Sequence, residues 1–215
     1  MNRRRLMIAT ASAAVAGPAA AQQPIVVRFE RAPAGQLPDD FRIGRTGRGA
    51  PAVWSVVDDP SVSAGRVLAQ TSTDQTDYRF PLAIYDAVSV RDVEVTVAFK
   101  AVAGRIDRAG GIAVRLTDAD NYYVLRANAL EDNVNFYHVV QGSRRQIHRI
   151  STKVTSDEWH RLSLRAAGDQ FAIGFDGKML FAVTDRTFAN AGKVALWTKA
   201  DSVTHFDDLT IWPLS

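Results

Sequence analysis

The stretch from Gly110 to Gly142 constrains the fold most, because it holds three short runs of β-forming residues separated by polar turns. In the first run, residues 111–117, apolar and polar side chains alternate, and this period of two indicates a strand with one buried face. The break at 117–121 (TDADN) is typical of a hairpin turn, since Asp and Asn hydrogen-bond to nearby backbone and tolerate left-handed geometry. Runs at 122–128 and 134–140 follow. The stretch therefore predicts a three-stranded antiparallel meander.

Short β-runs continue on both sides of this meander, and no segment of the mature chain shows a sustained helical period. The clearest alternation lies at 91–102, where Val and Phe face one way and mostly polar residues face the other. Asp176-Gly177 between two apolar runs is the pattern of a two-residue type I′ hairpin. About a dozen short strands with regular turn signals predict an all-β, two-sheet antiparallel jelly-roll sandwich, extending over residues 22–215 as one domain.

Three segments carry more specific expectations. Residues 31–52 are rich in Gly, Pro and Arg, which favours an ordered loop around the edge of the domain. Pro81 interrupts the run at 78–85, and a proline inside a strand indicates an edge strand or a bulge. Residues 185–189 are short enough to form a single helical turn.

The N-terminus resembles an export signal. Three arginines at positions 3–5 precede a short Ala-rich apolar run, and Ala19-Ala20-Ala21 supplies the small residues that a signal peptidase reads. We predict a signal peptide at residues 1–21 and a periplasmic or secreted protein. The Arg-Arg-x-Leu-Met pattern favours the twin-arginine route, while an ordinary secretory signal is the alternative. The apolar run is shorter than the ~20 residues of a membrane span, so a membrane-spanning protein is not expected.

Charge and cysteine content exclude several classes of protein. The chain has 26 Lys and Arg against 23 Asp and Glu, but three arginines belong to the predicted signal, so the remainder is balanced. A nucleic-acid-binding stripe is therefore not expected, and the pair Arg144-Arg145 is interpreted as a solvated hairpin tip. The absence of cysteine excludes thiolate chemistry and a disulfide scaffold, so a hydrophobic core must hold the domain.

The meander also carries a candidate ligand site, because alternate polar residues on its strands line up on one face of the sheet. Saccharides are bound by planar hydrogen-bonding groups together with an aromatic platform, and arginines would suit an anionic or oxidised sugar. The alternative is a solvated sheet face with charge pairs, and core packing for the tryptophan. The predicted ligand-binding residues are Arg79, Arg115, Arg126, Asn128, Asn135, Tyr137, Trp197 and Lys199.

Catalytic motifs are not evident in the sequence. It has no E-x-D-x-x-E strand, no G-x-S-x-G elbow and no H-E-x-x-H helix, and its four histidines are scattered. The acidic pairs Glu131-Asp132 and Asp157-Glu158 are interpreted as solvated charges beside turns. No catalytic residue is assigned, and no cofactor is expected to be required.

Three segments together resemble a known superfamily: GGIAVRLTDADNYYVLRAN, EWHRLSLRAAGDQFAIGFDGKML and GKVALWTKADSVTHFDDLTI. They resemble the concanavalin A-like lectins and glucanases, and more closely laminin-G-like jelly rolls and 3-keto-disaccharide hydrolase-like domains. The resemblance implies a structural Ca²⁺ between the first and last strands, with Glu30 and Asp207, or its neighbour Asp208, as the matching residues. The alternative is a salt bridge at Glu30 and a turn cap at Asp207.

Three hypotheses of function follow. The first is an exported, non-enzymatic carbohydrate-binding protein. The second is a glycoside hydrolase of the 3-keto-disaccharide type, with its acid or base drawn from residues such as Asp120 or His138. The third is a structural adhesion module that binds protein. The sequence does not indicate the oligomeric state.

Overall fold

The computed structural model describes residues 23–214, which form β-strands joined by turns and loops and contain no helix. The predicted signal at residues 1–21 therefore lies outside the described part of the chain. Within residues 23–214, no helix is long and apolar enough to cross a bilayer. The strands are β1 Ile25–Val27, β2 Phe41–Gly47, β3 Trp54–Asp58, β4 Arg66–Gln70, β5 Arg79–Val90, β6 Val93–Ala103, β7 Ala109–Asp118, β8 Asn121–Asn128, β9 Asn133–Val140, β10 Ser143–Ser151, β11 Trp159–Ala167, β12 Gln170–Phe175, β13 Lys178–Thr184, β14 Gly192–Trp197 and β15 Val203–Pro213.

The strands form two antiparallel sheets. The larger sheet has the order β13-β12-β11-β6-β15-β4-β3, and β1 also pairs with β15. The smaller sheet has the order β10-β9-β8-β7-β14-β5-β2, so the predicted meander forms one end of it. The two sheets pack face to face, which confirms the predicted all-β jelly-roll sandwich.

The core lies between the sheets and follows the alternation read from the sequence. Val93, Val95, Val97 and Phe99 of β6 all point inward and have no exposed surface. Each apolar side chain of this size contributes about 1.5–3 kcal/mol when it is fully removed from water. The Asp176-Gly177 turn also has positive φ angles at both positions (49° and 75°), which confirms the type I′ hairpin between β12 and β13.

Three local expectations are wrong. The supposed loop at 31–52 contains strand β2, whose Phe41 packs 5.2 Å from the ring of Tyr85. The strand is an edge strand with mainly polar residues, so its pattern is weak. Pro81 does not mark an edge or a bulge, because β5 pairs in regular register at this position with β2, which is itself the edge. Residues 185–189 form no helical turn.

The smaller sheet is strongly curled, and we call its outer side the concave face. In a flat sheet, β10 and β5 would be about 24 Å apart, given ~4.8 Å per strand. Yet the guanidinium carbon of Arg144 on β10 lies 4.6 Å from the ring of Phe80 on β5. The Tyr78 hydroxyl, just before β5, donates to the carbonyl oxygen of Gly142 (2.9 Å) and accepts from the backbone N–H of Arg144 (2.7 Å). These contacts bring opposite corners of the sheet together over a second apolar cluster.

Candidate functional site

Four strands of the smaller sheet place one row of residues across the concave face. Arg126 on β8 pairs with Asn135 on β9 and with Gly111 on β7, and Gly111 pairs with Trp197 on β14. A side chain at Gly111 would begin 2.5 Å from the carbonyl oxygen of Leu125 and 3.4 Å from the indole of Trp197. The glycine therefore leaves room for the indole beside Arg126. The row joins an arginine, an amide and an aromatic ring on one rigid sheet.

Arg126 is the central cation of this row and is 2% exposed. Its Nη2 donates to Glu131 Oε2 (2.8 Å) and to Asn133 Oδ1 (2.7 Å), and its guanidinium carbon lies 5.7 Å from the centre of the Tyr137 ring. Burial alone would raise the pKa of Glu131, but hydrogen bonds from Asn133 and Arg126 lower it below its ordinary value. Glu131 is thus held as a carboxylate at neutral pH.

Asn135 connects Arg126 to Tyr137. The Asn135 amide contacts the Tyr137 hydroxyl at 2.6 Å. With its oxygen facing that hydroxyl, the amide accepts from both Tyr137 Oη and Arg126 Nη2, the latter at 3.1 Å. Both partners of the amide are then satisfied, which fixes the side chains in one arrangement.

Lys199 lies at the end of the row and forms ion pairs with Asp107 (2.7 Å) and Asp77 (2.6 Å). Burial alone would lower the pKa of Lys199, but the two carboxylates raise it. Asp107 is 1% exposed, and burial raises its pKa while the ammonium group of Lys199 opposes that rise. Asn128 donates to Asp107 Oδ1 (2.6 Å) and accepts from the backbone of the β8–β9 turn, so it has a structural role.

The aromatic residues Trp197 and Tyr122 of the concave face are fully buried. Trp197 has no exposed surface, and its indole N–H donates to the hydroxyl of Tyr122 (3.2 Å). That hydroxyl also meets Thr46 Oγ1 of the edge strand β2 at 2.7 Å. Burial raises the pKa of Tyr122 well above its ordinary value, so the hydroxyl remains protonated.

Arg144 is a site residue that the sequence analysis missed. Its guanidinium carbon lies 4.6 Å from the ring centres of Phe80 and Tyr137 and 5.8 Å from that of Trp197. It is not the solvated hairpin tip that was expected. Arg144 pairs in register with Val139, an apolar residue of the concave face. The hairpin register alone therefore contained the signal that would have found it.

Arg79 does not share the concave face, which corrects its predicted placement. On β5 the concave face takes Phe80, Leu82 and Ile84, so Arg79 points to the other side. There its guanidinium donates to the carbonyl oxygens of Ala50, Pro51 and Ala200 and to Ser72 Oγ, at 2.7–2.9 Å. Arg79 therefore ties loops together at the end of the sandwich.

Arg115 is also placed elsewhere, because a bulge in β7 turns it away. Its φ of 51° breaks the alternation, and the pairing register shifts between Val114 and Asp118. The guanidinium donates to the carbonyl oxygens of Arg91, Phe188 and Gly168 and contacts Asp92 Oδ1 at 3.3 Å. It lines a separate cleft of about 390 Å³ at the end of the strands.

The two acid–base candidates of the hydrolase hypothesis are not brought together with Arg126. His138 Nδ1 lies 2.9 Å from Thr187 Oγ1 and 3.7 Å from Asp185 Oδ2, and it lines a cleft with Arg145. Asp120 is exposed in the β7–β8 turn. Within residues 23–214, neither residue forms a hydrogen bond or an ion pair with Asn135, Arg126 or Trp197.

Glu30 and Asp207 lie on one cleft with Arg28 and Asp208. Glu30 Oε2 and Asp207 Oδ1 are both buried, and neither has a hydrogen-bond partner among residues 23–214. Burial raises the pKa of Asp207, and the nearby carboxylates of Asp208 and Glu30 add to that rise. Two buried carboxylate oxygens without donors fit a hard cation such as Ca²⁺. No group of three or more His, Cys, Asp or Glu in the described part could hold a metal, so backbone or water oxygens would have to complete the shell.

Sequence comparison gives one family. A model described as the galactocerebrosidase C-terminal lectin domain matches residues 81–213. This range contains the whole meander, β14 and β15. A search of the curated protein sequences finds no match.

Similar solved structures share the predicted jelly-roll fold. Carbohydrate-binding module CBM66 from Bacillus subtilis is 22% identical with a TM-score of 0.62, covering 74% of this chain and 91% of that one. The exoplasmic/lumenal domain of VIP36, in its Ca²⁺/Man-bound form, is 9% identical with a TM-score of 0.59 and 89% coverage of both chains. A GH16 protein from Bacteroides ovatus, in complex with a G4G4G3G product, is 11% identical with a TM-score of 0.52, covering 73% and 84%.

Proposed function

Because the chain belongs to the family of galactocerebrosidase C-terminal lectin domains, we propose that it binds a saccharide on its concave face. The observation that carries this proposal is the row that joins Asn135, Arg126 and Trp197 across adjacent strands. A guanidinium and an amide offer planar donors and acceptors to sugar hydroxyls, and an indole offers a surface to the C–H face of a pyranose ring. Carbohydrate-binding module CBM66 has the same fold, which supports this use of it.

Access to the indole requires movement at one corner of the sheet. The tip of the β9–β10 hairpin is tied to Tyr78 by two hydrogen bonds, and Tyr78 is 36% exposed. Hydrogen bonds of this kind contribute about 0.5–1.5 kcal/mol each, so a minor population with an open corner is expected. We propose that a sugar ring reaches Trp197 when this tip opens.

Binding without bond cleavage is the function that the charges favour. The carboxylates near the row already have partners: Glu131 contacts Arg126 and Asn133, while Asp107 contacts Lys199 and Asn128. A glycosidase needs one carboxyl group free to give a proton and a second to act as nucleophile or base. GH16 from Bacteroides ovatus shares the fold, so turnover must be tested directly. Product release from a glycoside or a 3-keto-glucoside would overturn the non-enzymatic proposal.

The test of binding is an array of oligosaccharides probed with residues 22–215 and with two variants. Arg126→Gln removes the central cation and should weaken binding at least tenfold, since hydrogen bonds to charged groups are worth about 1.5–3 kcal/mol and ~1.4 kcal/mol is tenfold. Arg165→Gln is the matched control, because Arg165 pairs with Glu94 at 3.3 Å on the outer face of the other sheet. Equal binding by Arg126→Gln and the parent protein would refute the site. Binding of a protein ligand with no response to any sugar would favour the adhesion hypothesis.

We also propose that the protein is exported to the periplasm or secreted, with residues 1–21 as its signal. Fractionation of cells that express the full chain, with and without the arginines at positions 3 and 4, would test the twin-arginine route. Retention of the full-length chain in the cytoplasm would refute the assignment.

The second proposal concerns a structural cation. Glu30 and Asp207 would hold Ca²⁺ between the segment after β1 and strand β15, where its charge would offset the repulsion between their carboxylates. Such an ion would stabilise the sandwich and would not contact the saccharide.

A further inference from the structure

Arg144, unlike Arg126 and Lys199, has no carboxylate partner within residues 23–214. Arg126 pairs with Glu131, and Lys199 pairs with Asp107 and Asp77. The guanidinium of Arg144 instead lies among the rings of Phe80, Tyr137 and Trp197. Cation–π contacts of this kind are worth about 0.5–2 kcal/mol, which orients the group without neutralising it.

Two N–H donors around Tyr137 are left without acceptors. Arg144 Nη1 and Arg126 Nε are both buried and have no hydrogen-bond partner among the described residues. Their guanidinium carbons lie 4.6 Å and 5.7 Å from the centre of the same Tyr137 ring. A buried donor without an acceptor costs stability, and more so when it is charged. Glu131 already occupies Nη2 of Arg126, whereas no carboxylate of the described residues forms an ion pair with Arg144.

We propose that the concave face selects an acidic saccharide, whose carboxylate or sulfate group accepts a hydrogen bond from Arg144, the guanidinium without a carboxylate partner. The proposal rests on the saccharide-binding function and adds the class of ligand. Charge-assisted hydrogen bonds are roughly twice as strong as neutral ones. A neutral sugar offers only hydroxyl and ring oxygens to the same donors and would bind more weakly. Arg144 is then the specificity-determining residue.

Overall charge does not explain such a preference. Outside the first five residues the chain has equal numbers of basic and acidic side chains. Arg145, the neighbour of Arg144 on β10, lines a separate cleft with His138 and Ser143. Arg145→Gln therefore removes the same charge from the same strand without touching the concave face.

The experiment compares three galactose-based probes by titration calorimetry on residues 22–215: a neutral galacto-oligosaccharide, an oligogalacturonate and a sulfated galacto-oligosaccharide. We expect at least one acidic probe to bind about tenfold more tightly than the neutral probe, the expected gain for one added charge-assisted bond. The two acidic probes distinguish a carboxylate from a sulfate ester. Arg144→Gln should reduce this preference to near unity, whereas Arg145→Gln should preserve it.

The outcomes separate the two proposals. If the neutral probe binds as tightly as the acidic ones, or if Arg144→Gln keeps the preference, the acidic-ligand inference is wrong and the saccharide-binding function stands. If none of the three probes nor any arrayed sugar binds, both fall. Thermal unfolding of each variant confirms that a loss of binding reflects the missing guanidinium rather than an unfolded chain.

Discussion

Replacement of Asp207 by Asn tests the cation site in a way that stability measurements can resolve. Without a cation, burial and the carboxylates of Asp208 and Glu30 hold the pKa of Asp207 above its ordinary value of 3.8. The folded state then binds this proton more tightly than the unfolded state. The free energy of unfolding must therefore fall as pH rises from the ordinary value through the raised one. At neutral pH the ionised group destabilises the metal-free protein.

Calcium should reverse this effect. A ligand that binds only the folded state at 100 times its Kd adds about 2.7 kcal/mol. For a domain of this size, 1 kcal/mol corresponds to about 2–4 °C in Tm, so the expected rise is roughly 5–11 °C. In Asp207→Asn the calcium-dependent rise should vanish, while the Tm in chelator should equal or exceed that of the parent protein, because the repulsion is removed.

The assay is differential scanning calorimetry at pH 7 with calcium or with chelator. Asp208→Asn is the matched control, since Asp208 faces Arg28 and Arg161 at 3.4 Å and is not among the buried groups without a partner. This variant should keep most of the calcium-dependent rise. An unchanged Tm of the parent protein on adding calcium, or a full rise in Asp207→Asn, would refute the reasoning.

Two further changes test the framework around the site. Asp59→Asn leaves Lys100, whose side chain is 10% exposed, without its carboxylate at 2.7 Å, and loss of a partner from a buried pair should lower the free energy of unfolding by about 3–5 kcal/mol in urea titrations. Asp58→Asn breaks the exposed ion pair between Asp58 and Arg66 and should lower the free energy of unfolding by less than about 1 kcal/mol. Equal losses in Asp59→Asn and Asp58→Asn would contradict this reasoning. Gly111→Ala forces a methyl group to within 2.5 Å of the Leu125 carbonyl oxygen, so we expect about 1–3 kcal/mol of destabilisation together with weaker saccharide binding. Retention of both properties would show that the glycine is not needed beside the indole.

The hairpin tip over the indole supplies another test. Tyr78→Phe removes both hydrogen bonds that tie the tip to Tyr78, so the population with an open corner should rise. At about 0.5–1.5 kcal/mol per bond, the two bonds together correspond to a roughly five- to hundredfold increase in saccharide affinity. Unchanged affinity would argue against opening at this corner.

The pairing within the meander was accessible from sequence because it depends on local pattern. Period-two alternation and turn residues set β8 against β9, and with that register Arg126 and Asn135 had to be neighbours. Strand β2 was not predicted because this polar edge strand has only one buried apolar side chain, Phe41, and so shows no clear alternation. The wrong expectation at Pro81 has the same origin, since the partner of β5 had not been recognised.

Arg115 shows where pattern reasoning fails within a correctly predicted strand. Its alternation placed it beside Arg126, but the left-handed backbone at this residue rotates the side chain to the end of the sandwich. The backbone of Gly192 packs against this bulge, where a side chain would begin 2.4 Å from the Arg115 carbonyl carbon. Because this bulge is stabilised by a neighbouring strand, the residue pattern at 111–117 does not indicate it.

The amino-acid order by itself determined the fold class, the meander and the alternation that buries β6, because these depend on spacing along the chain. The curl of the smaller sheet was decided only in three dimensions, since it sums small twists over seven strands and brings Arg144 on β10 to Phe80 on β5, five strand positions away. Because of that curl, Arg144 packs among the rings of Phe80, Tyr137 and Trp197 instead of lying solvated at the hairpin tip. Contacts between chain segments distant in sequence, rather than local pattern, therefore decide which cations of this protein face a ligand.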